Sequence, residues 1–176
     1  MAFQPRKSNS RFRKPASEFK EKTLEIGRVT RVVAGGKRFS FRVAMVIGNE
    51  KGRVGFGLGK GLDVAQAVEK AKVDAKKHLI SIELFDNRTI PYDIEAKYGA
   101  ARVRLKPARL NHGLIAGGAC RVVLELVGVK DISAKTLGNT TNKITNAQAT
   151  IKALQNLRPV KKVEKKIEVK KSEENE

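Results

Sequence analysis

The stretch that decides the fold runs from Val29 to Gly61, VTRVVAGGKRFSFRVAMVIGNEKGRVGFGLGKG. Residues 25–34 and 38–48 alternate as strands, with Phe39, Phe41, Val43, Met45 and Ile47 on one side of the second. Gly35-Gly36 between them suits a tight hairpin turn, which requires positive φ. Lys37 and Arg38 follow the turn at once, and Arg28, Arg31 and Arg42 sit on the same two strands. A turn at Asn49–Gly52, carrying Lys51, leads into a third strand over 53–58 that begins with Arg53. Glycines recur at 55, 57, 59 and 61. Asp63 then reads as an N-cap with Gln66 completing a capping box. Val64, Ala67, Val68, Ala71, Ala75 and Leu79 fall at helical spacing. The result is a β-β-β-α unit, with the helix covering one face of an antiparallel meander.

Working outward, residues 1–23 mix Pro, Ser, Arg and Lys without periodicity and read as a basic disordered arm, with Phe3, Phe12 and Phe19 as its aromatics. The first unit covers 24–86 and the second 87–158. The second reads β-β-α-β-α: a strand carrying Asp93 and Glu95, a strand over 100–106, a loop at Asn111-His112-Gly113, a helix within 114–127, a strand near 133–137 and a helix over 144–157. The residues 159–176 form a Lys/Glu tail. The fold class is α+β in two units.

The chain has 176 residues and a formal net charge of +19. Residues 24–157 alone hold 23 basic against 11 acidic side chains, so the excess lies on the folded part and not only on the tails. Self-repulsion on this scale is relieved by an anionic partner, of which nucleic acid is the commonest. No apolar run approaches the ~20 residues of a membrane span. The single cysteine, Cys120, forms no internal disulfide and fits a reducing, cytoplasmic compartment.

Enzymatic signatures fail one by one. A phosphate loop needs glycine where Val54 stands and Ser or Thr where Gly61 stands. The dinucleotide fingerprint needs glycine where Leu62 stands. His78 and His112 have no partner at metal-ligand spacing. Asp93 and Glu95 read as surface charges, and Cys120 as a small packed side chain. No cofactor, metal or small-molecule substrate is expected. The alternating glycines leave two readings open: a bare strand face for a sugar–phosphate backbone, or close packing of a helix on a strand. The candidate RNA-binding residues are Arg28, Arg31, Gly35, Gly36, Lys37, Arg38, Arg42, Lys51, Arg53, Lys60, Arg102, Arg104 and Lys106. Arginines alternating along a strand present planar donor forks suited to phosphate.

The runs VAGGKRFSFRVAMVIGNEKGRVGFGLGKGLDVAQAVEKA and LIAGGACRVVLELVGVKDISAKTLGNTTNKITNAQATIKAL, in that order, resemble the bacterial small-subunit ribosomal protein S-five family over about residues 23–158. The resemblance implies a first unit like a double-stranded-RNA-binding domain without its first helix, and a second with a left-handed β-α-β arrangement. It implies binding to small-subunit ribosomal RNA, contact with proteins S-four and S-eight, and a place by the channel through which mRNA enters. In that family the first hairpin tip touches RNA near the head–body hinge and influences the spectinomycin response. The family often has Lys before the two glycines, and Ala34 stands there here. The family's surface toward S-four, where changes affect decoding accuracy, corresponds to His112, Gly113, Gly117, Gly118 and Arg121.

Overall fold

A computed structural model describes residues 18–158. The first sheet has the order β1-β2-β3-β4, with β1 Lys20–Val33, β2 Gly36–Gly48, β3 Arg53–Gly61 and β4 Leu79–Ser81, all antiparallel. The helix α1, Val64–Lys77, joins β3 to β4. The second sheet has the order β5-β6-β8-β7, with β5 Ile94–Tyr98, β6 Ala101–Pro107, β7 Leu114–Ile115 and β8 Ile132–Thr136. Helices α2, Gly118–Val127, and α3, Lys143–Gln155, belong to this second unit. β7 and β8 pair in parallel, which obliges the chain to cross over through α2. This is the expected two-unit α+β architecture, with the three-residue β4 and the two-residue β7 added to the strands read from the sequence.

β1 starts at Lys20, inside the stretch expected to be an arm through Thr23. The cause is pairing: Lys20–Thr23 lie opposite Met45–Gly48. Phe19, expected in the arm, packs at the edge of the core beneath α1. Phe3, Phe12 and the Lys/Glu tail lie outside the described residues.

One face of β2 behaves as the alternation predicts. Val43, Met45 and Ile47 are buried against Ala67, Ala71 and Ala75 of α1. Only alanines fit there because α1 lies almost on the backbone of β3. A Cβ added at Gly55, Gly57 or Gly59 would run into the carbonyl oxygens of Ala75, Ala71 and Ala67, one helical turn apart. At Gly61 it would lie 2.8 Å from the Ala67 nitrogen. Of the two readings the sequence leaves open, close packing is the one realised: the glycine row is the seat of α1, and that face is covered and not bare to a sugar–phosphate backbone. β3 also runs to Gly61 instead of ending at residue 58, since all four glycines face the helix in register. Asp63 caps α1 through its carbonyl, which accepts from Ala67 N–H at 3.1 Å; its side chain makes no cap hydrogen bond, so the capping box does not form.

The other face of β2 is buried too. Val46 and, from β3, Val54 join the core of the second unit, with Val103, Leu105, Val123, Leu124, Val127, Ile132 and Leu154. The β2–β3 turn is therefore a joint and not a free basic tip. Glu50 and Gly52 N–H groups donate to the Leu126 and Val127 carbonyls at 3.0 and 2.9 Å. Gly48 and Gly128 permit this approach, because a Cβ on either would meet the backbone of Leu126 or Glu50. Lys20–Glu50 and Lys22–Glu125, each 2.7 Å, and Lys72–Glu21 fasten β1 to its neighbours.

Candidate nucleic-acid interface

β3 stops pairing with β2 at Phe41, opposite Gly61, while β1 and β2 remain paired to Val33–Gly36. Val29–Ser40 is thus a two-stranded ribbon projecting roughly 17 Å beyond the sheet. Ala34-Gly35 forms its two-residue tip, and Gly36 has φ +139°, a conformation that side chains disfavour.

The register sets the electrostatics. Arg31 lies directly opposite Arg38, and Arg42 directly opposite Lys60. Period two puts Arg38 and Arg42 on the face away from α1, so these four cations form one stripe. Like charges across a ladder repel. Among the described residues none of the four has a carboxylate partner within ion-pair distance, nor does Lys37. On the opposite face Arg28 lies 3.7 Å over the ring of Phe39. Phe39 shares its side of β2 with Phe41, Val43, Met45 and Ile47, but it is 44% exposed because both α1 and β3 end before reaching it.

The remaining candidates lie elsewhere. Lys51 and Arg53 sit at the far end of β2, roughly 40 Å from the ribbon tip along the strand. Arg102, Arg104 and Lys106 project from the outer face of β6, as their spacing predicts, but two of them are already engaged. Arg102 donates to Glu95 through Nε and Nη2 at 3.1 and 2.7 Å. Arg104 grips Asp93, with Nη2–Oδ2 at 2.6 Å, and this fork holds the Asp93 carboxyl below its ordinary range. Arg104 in turn is held more firmly protonated by Asp93. Asp93 and Glu95 are surface charges, as their sequence reads, and strand pairing, not sequence distance, brings them to the arginines.

The loop at His112 is held from below. Asp131, 3% exposed, accepts from Gly113 N–H at 3.0 Å and from Arg88 Nε at 3.0 Å. These contacts, the Gly113 N–H first, lower the Asp131 pKa against the opposing cost of burial. Arg88 also reaches Asn111 Oδ1 at 3.2 Å, and Gly113 takes φ +78°. Arg121 points back onto the Leu114 carbonyl at 3.0 Å. Gly117 caps α2 and Gly118 begins it. His112 stands exposed between Leu110 and Ile115, which are 74% and 51% exposed. Sequence reasoning missed Arg88 and Asp131, which are remote in the chain and carry no local motif. Cys120 is buried at the start of α2, 3.8 Å from Thr136 Oγ1, and packs as a small side chain. His78 ends α1 as its C-cap.

Comparison with known proteins places this geometry in a family. Residues 19–83 match the family described as "Ribosomal protein S5, N-terminal domain", and residues 96–167 match "Ribosomal protein S5, C-terminal domain". A "Small ribosomal subunit protein uS5" of Acaryochloris marina (strain MBIC 11017) is 45% identical over 173 residues, covering 97% of each chain. The protein of the same name from Trichormus variabilis is 46% identical over 163 residues, 93% of this chain and 92% of its own. The uS5c protein of the alga Gracilaria tenuistipitata var. liui is 46% identical over 153 residues, covering 87% and 88%. The family is one of structural ribosomal proteins and not of enzymes. With both domain families matched in order across the two folded units, this chain belongs to the ribosomal protein S5 family.

Proposed function

We propose that the chain is a structural constituent of the small ribosomal subunit that binds small-subunit ribosomal RNA and supports subunit assembly. The observation that carries this reading is the stripe of Arg31, Arg38, Arg42 and Lys60. Its two cross-strand pairs of like charge have no carboxylate among the described residues, so phosphate is the chemistry that completes them. Lys37, Arg28, Lys51, Arg53 and Lys106 add further phosphate contacts, and the ribbon enters a junction of folded RNA by shape. Arg102 and Arg104 contribute less, since each must first release or share its carboxylate. Gly35 and Gly36 serve by keeping the tip narrow.

The second unit provides protein contact. The braced loop around His112 and Gly113, with Leu110 and Ile115 exposed beside it, presents an apolar surface in a fixed shape, which suits a protein neighbour better than RNA. In this reading the neighbour is S-four, with S-eight also adjoining. The site lies by the channel through which mRNA enters, and this contact influences translational accuracy. The compartment is the cytoplasm.

The test is sedimentation of a lysate through a sucrose gradient with the chain followed by mass spectrometry. Stoichiometric migration with the small subunit, surviving moderate salt, is the expected result, and Lys37→Glu with Arg38→Glu should reduce incorporation. Migration at the top, or scatter over many RNAs that salt removes, would replace this reading with a free-standing RNA binder.

A further inference from the structure

The ribbon has a second face that phosphate binding does not explain. On the α1 side, beyond the end of the helix, it exposes Val32 and Phe39, at 72% and 44%. Apolar groups on a thin projecting ribbon have no core to join. Arg28, itself exposed, lies with Cζ 3.7 Å from the Phe39 ring centroid. Such close approach of the central carbon requires the guanidinium to lie flat on the ring. An edge-on guanidinium would place a nitrogen and its hydrogen in between and push Cζ outward. Phe39 therefore backs the Arg28 guanidinium, and both side chains are exposed.

We propose that this Phe39–Arg28 shelf stacks an unpaired nucleobase of the RNA. A base is a flat, polarisable group, and aromatic rings and arginine planes are the two protein surfaces on which unpaired RNA bases stack. The surroundings select this occupant over an apolar protein segment. Arg28, Arg31, Lys37 and Arg38 lie on the ribbon or its base, no described carboxylate pairs with them, and an attached phosphate would complete any of them. The two faces then divide the work: the stripe of Arg31, Arg38, Arg42 and Lys60 takes phosphates, and the Phe39 face takes a base. The inference rests on the reading that the ribbon lies against RNA.

The experiment uses the full chain and a short RNA stem–loop with 2-aminopurine at an unpaired loop position. Fluorescence quenching reports stacking, and affinity as a function of salt reports phosphate contact. The variants are Arg28→Lys, which keeps the charge but loses the plate, and Phe39→Leu, which keeps apolar bulk but loses the ring. Each should weaken binding about tenfold and remove the quenching while leaving the salt slope as it was. Both sites are exposed, and circular dichroism of each variant checks that it folds. Unchanged affinity and quenching in both variants, with a normal salt slope, would overturn the shelf and leave the RNA reading standing. Absence of salt-dependent binding by the unaltered chain would overturn both.

Discussion

Asp131 shows how one side chain sets the shape of a surface it does not reach. Its carboxylate is nearly enclosed, yet it fixes the Gly113 N–H and Arg88, and through Arg88 the side chain of Asn111. Its pKa is lowered in the fold, first by the Gly113 N–H and then by Arg88. A depressed carboxyl pKa stabilises the fold fully above the unfolded-state value, about 3.9, and the contribution vanishes as pH falls through the lower folded-state value. Asp131→Asn should therefore lower the melting temperature at neutral pH, with the gap to the unaltered chain closing in acid below about pH 4. Thermal unfolding followed by circular dichroism across pH checks this. A gap that stays constant with pH would show that the charge of Asp131 is not what holds the loop.

At the scale of the element, α1 and β3 form one device: a helix with alanines at every buried position laid on a strand with glycines at every facing position. The close approach leaves no room for a methyl group. Gly57→Ala or Gly59→Ala should each cost about 1–3 kcal/mol or more, as overpacking does. Urea denaturation should show a lower midpoint with an unchanged slope. Gly35 has open space around it and lies at the ribbon tip, so Gly35→Ala should stay within about 0.5 kcal/mol of the unaltered chain, as surface substitutions do. Equal effects at the three positions would mean that the glycines act through backbone entropy and not through the fit of the helix. The alternation of glycine was plain in the sequence, but what it faced was not. A bare strand face looks the same whether a helix or a phosphate backbone will lie on it, and only the alanine spacing of α1, 67, 71 and 75, pointed to the helix.

For the whole molecule, the net positive charge is unevenly committed, and this separates binding residues from structural ones. Arg38 faces Arg31 with no carboxylate partner among the described residues, whereas Arg104 is held by Asp93. In a salt titration of binding to duplex-containing RNA, Arg38→Gln should reduce the log–log slope by about 0.9, the release expected for one phosphate contact. Arg104→Gln should change it by clearly less. Equal losses would mean that the RNA draws Arg104 away from Asp93. By itself the sequence determined the strand and helix periods, the α+β class in two units, the excess of cations and the family resemblance, because each is written in local spacing or composition. Only the tertiary structure decided which cations stand opposite one another, that Phe39 lies beyond the core, that Asp93 and Glu95 engage the β6 arginines, and that the Asn49–Gly52 turn joins the units. Those outcomes depend on strand register and on where one element ends beside another. Both are fixed by packing between segments far apart in the chain, and no local pattern records them.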